Sequence, residues 1–357
     1  MTGATAEDLR WLDAAARLAA AARGTTADSL VAAALVVNPL DQSLIARAVT
    51  ARGGHPHAEA LALESAGFDA AGATLYVTAE PCASWGRSPP CVDAIVRSGA
   101  MRVVIGQANP DPAKADMARE RLESAGVEVI FADHSASAEL QAGHGLRHAH
   151  NRPHVTVALV VGPRDELIDP VSGPARDWLD LERAHADAIL VGASGARSRA
   201  ATPVIQRPGL EPRTPLRVVL AGAKGVDRRL NLIGGFTGHR TAVIAQSDTP
   251  VDAPVSVEVI RVEGQGGRPD LAAALESLAA RGRHSVLVEP GPRLLAALLD
   301  AELVDAVTLM TLDETGQDGP VATQDGRLAD LLSAADLVPS REQTAPGAKL
   351  TLYRRRA

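Results

Sequence analysis

Residue types with a strong affinity for zinc lie close together in the first third of the sequence. Cys82 and Cys91 are the only cysteines of the chain, and the tripeptide HAE at 57–59 precedes them. Imidazole nitrogen and thiolate sulfur bind zinc in a tetrahedron, and a catalytic zinc has three protein ligands with the fourth position left for water. We therefore predict that His57, Cys82 and Cys91 bind a catalytic zinc ion and that Glu59 transfers protons beside it.

The spacing of these residues indicates a reaction. An H-x-E tripeptide followed by P-C-x-x-C is the signature of zinc deaminases; this chain has HAE at 57–59 and PC at 81–82, with eight residues instead of two before Cys91. Zinc lowers the pKa of water toward roughly 7, which supplies hydroxide to attack the amine-bearing carbon of a heteroaromatic ring. Glu59 would pass the water proton to the ring nitrogen and the leaving ammonia. A structural zinc site with His55 as fourth ligand is the alternative.

The elements around these residues are predicted to bring them together. A helical pattern begins directly after His57 and contains Glu59, so the two side chains share one helix start. Cys82 follows a predicted strand, and Cys91 opens a second predicted helix after two prolines, which suit a helix entry. Helix N-termini lower thiol pKa values and thereby favour thiolate ligands.

Helical and strand patterns alternate along the first 150 residues. Strands separated by helices predict a mainly parallel sheet with helices on both faces, and hence a three-layer α/β/α domain over residues 1–150. The predicted helices are 6–23, 58–66, 90–97, 114–125 and 137–150, and the predicted strands are 31–37, 43–50, 74–78, 102–106 and 127–131.

A second α/β domain is predicted over residues 151–357, after a break in the pattern at Asn151-Arg152-Pro153. Two stretches, 194–214 and 311–325, are predicted to be polar loops rich in glycine and proline. The predicted strands are 155–161, 188–191, 216–220, 242–245, 257–262, 285–288 and 307–311, and the predicted helices are 173–185, 270–280 and 291–300.

The composition favours a small-molecule substrate. The net charge is −7 and the chain has three Trp, two Tyr and three Phe residues, whereas nucleic-acid binders have a basic face or stacking aromatics. We therefore expect no nucleic-acid partner. No apolar run approaches the length of a membrane span, and the acidic start of the sequence lacks the features of a signal peptide. We expect no membrane partner and a cytoplasmic location.

The segment HAEALAL and the later GATLYVTAEPCASWGRSPPCVDAIVRSGAMRVVIG resemble the bifunctional deaminase–reductases of riboflavin biosynthesis. The second domain carries further matches at 153–157, 186–192, 215–220 and 288–309. The resemblance implies a cytidine-deaminase-like first domain and a dihydrofolate-reductase-like second domain. It implies deamination of 2,5-diamino-6-ribosylamino-4(3H)-pyrimidinone 5′-phosphate, reduction of the ribosyl group with NADPH, and a homo-oligomer.

The same resemblance implies functional residues in the second domain. Arg183, Arg207 and Glu289 match substrate-binding positions. Gly291 and Pro292 open a predicted helix whose free N–H groups would meet a cofactor phosphate.

Departures from the family pattern affect both domains. In the first, Ser29 replaces a substrate-contacting asparagine, and Ser84-Trp85 stands where a histidine pair is usual. In the second, Ala158, Gly162 and Arg164 replace the Lys, Ser and Asp of the K-x-A-x-S-L-D-G strand.

Two further motifs of the reductase half are altered. A G-x-S-x-W-I segment is missing, and residues 195–201 replace a T-V-L-x-D-D-P loop. We therefore expect an active deaminase with a degenerate reductase domain whose NADPH binding is weak or absent. The alternatives are retention of both activities through divergent contacts, a zinc deaminase of another small aminopyrimidine with a non-catalytic second domain, and a non-catalytic binding or scaffold protein.

Overall fold

The chain forms two compact units, Met1–His150 and Asn151–Ala357. The computed structural model describes residues 3–197, 203–235, 238–313 and 327–356. Most of the predicted loop 311–325, and residues 198–201 of the altered reductase loop, lie outside the described residues. The division falls at the break in the sequence pattern.

The first unit is built on a five-stranded sheet in the order β2-β1-β3-β4-β5, in which β1 pairs antiparallel with β2 and β3, and the β3-β4-β5 part is parallel. Its described elements are α1 (Ala6–Ala20), β1 (Ala33–Val37), β2 (Leu44–Val49), α2 (Ala58–Ala66), a 3₁₀ turn (Gly67–Ala70), β3 (Thr74–Val77), α3 (Cys91–Ser98), β4 (Arg102–Ile105), α4 (Met117–Ser124), β5 (Glu128–Phe131) and α5 (Ser135–His150).

Helices cover both faces of this sheet. In β1, Ala34 and Val36 pack with α2, α3 and α4, whereas Leu35 and Val37 pack with α1 and α5. A strand buried on both faces is apolar at every position, as β1 is. The predicted three-layer α/β/α domain is therefore confirmed.

The predicted helix 114–125 was wrong at its start. Helix α4 begins only at Met117, because Asp116 has a left-handed backbone with φ of 62°. The N–H groups of Asp116 and Ala118 donate to the Glu80 carboxylate instead of to a preceding helical turn.

A buried ion pair ties α1 to the sheet. The Asp8 carboxylate accepts two hydrogen bonds from Arg102, at 2.7 and 2.9 Å, and one from the Tyr76 hydroxyl at 3.0 Å. Asp8 also forms a capping box with Thr5 at the start of α1. Burial alone would raise the pKa of Asp8, but the hydrogen bonds from Arg102, Thr5 and Tyr76 outweigh it and lower the pKa.

We expect Asp8→Asn to lower the free energy of unfolding by about 3 kcal/mol, because it leaves Arg102 without its buried partner. Since the folded-state pKa is lowered, the contribution of Asp8 is complete above its unfolded-state pKa of about 3.9 and is lost as the pH falls through the folded-state pKa. Urea denaturation across this pH range measures both effects. The matched control is Glu7→Gln, which removes an exposed ion pair with Arg10 and should cost less than about 1 kcal/mol.

The second unit contains a nine-stranded sheet in the order β10-β9-β8-β7-β13-β6-β14-β16-β15, parallel from β10 to β14 and antiparallel in the last two pairs. Its described elements are β6 (His154–Val161), α6 (Gly173–Ala184), β7 (Ala188–Gly192), 3₁₀ turns at Gly195–Arg197 and Glu211–Arg213, β8 (Leu216–Leu220), α7 (Asn231–Gly234), β9 (Thr241–Gln246), β10 (Val257–Val262), β11 (Gly264–Gln265), β12 (Arg268–Pro269), α8 (Leu271–Ala279), β13 (Ser285–Glu289), α9 (Pro292–Asp300), β14 (Ala306–Leu312), α10 (Leu328–Ala334), β15 (Leu337–Ala345) and β16 (Ala348–Arg355).

The main core of this unit lies between the sheet and helices α8, α9 and α10, and helix α6 packs on the opposite face. This arrangement agrees with the predicted second α/β domain. The β15–β16 hairpin was not predicted, because exposed polar residues dominate β15. In the described part of the chain, no helix is both long and apolar enough to cross a membrane.

Candidate active site

Three local structures position the predicted zinc ligands. His57 has an extended backbone and is the N-cap residue of α2. Cys82 lies in the loop after β3, and Cys91 is the first residue of α3, directly after the N-cap Pro90. The ligands therefore come from two helix starts and one strand end.

The three predicted ligand atoms meet at distances that suit one ion. His57 Nδ1 lies 3.3 Å from Cys91 Sγ and 3.6 Å from Cys82 Sγ. Zinc bonds of about 2.3 Å to sulfur and about 2.05 Å to nitrogen, at a tetrahedral angle, separate the two atoms by about 3.6 Å. Among the described residues this trio is the group of potential ligands whose atoms all lie within 4.8 Å of one another. The donor set and its spacing fit zinc.

Two of the three predicted ligands are partly accessible to solvent. His57 and Cys82 are half-buried, whereas Cys91 is buried. His55 stacks on His57 with 4.5 Å between the ring centroids, but it is not part of the group that could share a metal ion. The described residues thus provide three ligands and leave a fourth position for solvent, which disfavours the closed structural site with His55 as a ligand.

Hydrogen bonds prepare one of the two sulfurs to be a thiolate. The Cys82 sulfur accepts hydrogen bonds from the Cys91 thiol, from the His57 imidazole and, at 3.2 Å, from the Cys91 backbone N–H. These bonds lower the pKa of Cys82 to about 4, and the bond from the Cys91 thiol has the largest effect. The same bond to Cys82, together with burial, raises the pKa of the Cys91 thiol. The hydrogen bond with Cys82 also raises the pKa of His57.

Glu59 lies on the first turn of α2 and is only 4% exposed. Burial raises the pKa of its carboxyl group, although the nearby His57 acts in the opposite direction. A raised pKa makes the carboxylate a stronger base, which suits a group that accepts a proton in general acid–base catalysis.

Glu80 is a positioning residue to which the sequence reasoning gave no role. Its buried carboxylate accepts hydrogen bonds from the backbone N–H groups of Asn109, Asp116 and Ala118, at 2.9, 3.3 and 3.1 Å. These bonds fix the segment 109–118 beside the loop that carries Cys82. The signal in the sequence was a charged residue three positions after the end of a buried strand, at a place where burial requires partners.

Comparisons with known proteins agree with both domains. Residues 5–107 match the family model of the cytidine and deoxycytidylate deaminase zinc-binding region, and residues 158–332 match that of the RibD C-terminal domain. The chain is 31% identical over 323 residues to the riboflavin biosynthesis protein RibD of Escherichia coli (strain K12), covering 84% of this chain and 86% of that protein.

The chain belongs to the RibD family. It is thus an enzyme of riboflavin biosynthesis with a zinc-binding deaminase domain and a reductase domain, which binds NADPH in this family.

Solved RibD structures share this fold. A diaminohydroxyphosphoribosylaminopyrimidine deaminase/5-amino-6-(5-phosphoribosylamino)uracil reductase from Thermotoga maritima superposes with a TM-score of 0.82 at 25% identity, covering 98% of this chain and 99% of that one. RibD of Acinetobacter baumannii gives a TM-score of 0.79 at 23% identity and covers 98% of each chain.

In the reductase domain, two of the predicted substrate-binding residues bind each other. Arg183 is fully buried, and its guanidinium donates to both carboxylate oxygens of Glu289 at 2.6 and 2.7 Å. A third hydrogen bond goes from Arg183 to Asp180 at 3.1 Å. Arg176 lies 3.1 Å from the same Asp180 oxygen. These two arginines and two carboxylates form a network of paired charges.

The other residues predicted for the reductase domain lie around this network. The backbone N–H groups of Gln206 and Arg207 donate to Asp180 at 2.7 and 3.0 Å. Gly291 is the N-cap residue of α9 and Pro292 its first residue, as predicted. A Cβ atom added at Gly291 would meet nothing within 4 Å, so this helix start faces open space.

The predicted substrate-binding side chains Arg183 and Glu289 are thus paired with each other, whereas the helix start predicted to meet a cofactor phosphate is open.

Proposed function

We propose that the N-terminal domain catalyses hydrolytic deamination of 2,5-diamino-6-ribosylamino-4(3H)-pyrimidinone 5′-phosphate. The observation that carries this proposal is the placement of one imidazole nitrogen and two sulfurs at zinc-binding distances beside a buried carboxyl group. The RibD family supplies the substrate class, a phosphorylated aminopyrimidine.

In this proposal His57, Cys82 and Cys91 hold the metal, and Glu59 moves the protons. When bound, zinc lowers the pKa of water toward roughly 7 and supplies hydroxide at neutral pH. Glu59 accepts the proton from the attacking water and donates it to the ring nitrogen. Glu59 then takes the proton of the hydroxyl group added to the ring carbon and delivers it to the exocyclic amine. The carbon–nitrogen bond breaks, the ring carbonyl forms, and ammonia leaves. The products are the ring carbonyl and one ammonia for each water consumed.

An ammonia-release assay on the phosphorylated diaminopyrimidine tests this function. We expect one ammonia per substrate consumed, together with about one zinc per chain. If zinc-loaded protein releases ammonia from a different aminopyrimidine and not from this compound, the substrate assignment is wrong, while the zinc chemistry stands.

We infer that the C-terminal domain reduces its substrate weakly or not at all, because Arg183 and Glu289 neutralise each other. Calorimetric titration with NADPH should therefore show no binding in the micromolar range. Micromolar affinity, or a ribityl product formed when NADPH is added to the deaminase reaction, would contradict this inference. Homo-oligomeric assembly, the absence of nucleic-acid and membrane partners, and a cytoplasmic location stay predictions.

A further inference from the structure

The loop between the two cysteines, residues 83–90, is held at its start and near its tip. Arg121 donates to the backbone carbonyl of Ala83 and pairs with Asp93 on α3. Near the tip, Arg87 Nη2 lies 3.4 Å from Asp28 Oδ1. The loop is therefore anchored at two places and is not a free connection.

The tip of this loop turns back toward the imidazole side of the zinc site. On that side, the imidazole ring of His55 stacks on that of His57, with 4.5 Å between the ring centroids. Asp28, the ion-pair partner of Arg87, is followed by Ser29, which packs closely against Gly54. A Cβ atom added at Gly54 would lie 2.3 Å from Ser29 Oγ. The loop tip, the segment 28–29 and the turn before His55 thus form one rim next to His57.

Trp85 stands on this rim with 76% of its surface exposed. It is three residues from Cys82, so its Cα lies within about 10 Å of that ligand's Cα. The other two tryptophans are occupied: Trp11 stacks on Tyr76 and donates to Gln42, and Trp178 packs against the core of the second unit. A large aromatic ring that is exposed on the loop between two predicted ligands of a site for an aromatic substrate is suited to contact that substrate.

We propose that Trp85 stacks on the pyrimidine ring of the substrate and helps to determine which aminopyrimidine is accepted. This inference rests on the proposed deamination. Base–aromatic stacking is worth about 1–3 kcal/mol on alanine substitution, which corresponds to roughly 5- to 150-fold in affinity. Because stacking holds substrate and transition state alike, the effect falls on KM, while kcat changes little.

The test compares Trp85→Ala, Trp85→Phe and the wild type in ammonia release. We expect Trp85→Ala to raise KM by roughly 5- to 150-fold with kcat within a few fold and zinc content unchanged, and Trp85→Phe to restore most of the loss. Phe68→Ala is the matched control, since Phe68 is 98% exposed on a 3₁₀ turn of the same domain and should leave KM unchanged.

A fluorescence titration separates this inference from the proposed function. In Trp11→Phe/Trp178→Phe protein, Trp85 is the remaining tryptophan, and the phosphorylated diaminopyrimidine should quench it. If the wild type turns over the compound and Trp85→Ala has an unchanged KM, the role of Trp85 is overturned while the deamination stands. Quenching without turnover supports Trp85 and overturns the deamination of this compound. If the compound is not turned over and does not quench Trp85, both the deamination and the role of Trp85 are overturned.

Discussion

Glu59→Gln should lower kcat for ammonia release by about 10²- to 10⁴-fold, the range over which a positioned acid–base group contributes. The amide keeps the size and shape of the buried side chain but neither accepts nor returns a proton. Since Glu59 is not needed as a ligand beside His57, Cys82 and Cys91, zinc content should stay at about one per chain. Steady-state kinetics and metal analysis on the same preparation measure both quantities.

Glu64→Gln is the matched control for this variant. Glu64 lies on the same helix, α2, but is exposed to solvent, so kcat should be unchanged. A fully active Glu59→Gln protein would show that another group carries the proton. A Glu59→Gln protein without zinc would show that the carboxylate acts as a ligand.

Cys91→Ser should abolish both zinc binding and ammonia release. Loss of a group that merely supports a ligand already costs about 10- to 100-fold in metal affinity, so loss of a ligand costs at least about 100-fold. The backbone N–H of residue 91 donates to Cys82, and a serine at this position keeps that N–H. A loss of zinc in this variant therefore measures the contribution of the Cys91 sulfur as a ligand. Metal analysis after dialysis against a weak chelator measures the loss.

Val96→Ser introduces the same side chain on the exposed face of α3 and serves as the control. It should keep zinc and activity. Full zinc occupancy in Cys91→Ser would mean that the ion is held elsewhere or by different ligands, and the open three-ligand site would then be wrong.

The zinc site was predictable because its signals are local. His57 and Cys91 lie at helix starts and Cys82 in the loop after β3, and the sequence pattern located these elements within a few residues. The charged residues around them were less predictable, because their partners are remote along the chain. Glu80 accepts from a residue 38 positions away.

The reductase domain shows the same limit more strongly. The resemblance predicted Arg183 and Glu289 as separate substrate-binding residues. Their pairing across 106 positions depends on how α6 packs on the sheet, which no local pattern shows. The β15–β16 hairpin was missed for a related reason, since its stability comes from backbone pairing with β14 and not from an apolar pattern.

Zinc K-edge X-ray absorption on the zinc-loaded protein tests the central claim most directly. We expect one imidazole nitrogen at about 2.0–2.1 Å, two sulfurs at about 2.3 Å and one oxygen from solvent. A third sulfur or a second imidazole in the first shell, a shell without sulfur, or a protein that takes up no zinc would contradict an open site formed by His57, Cys82 and Cys91.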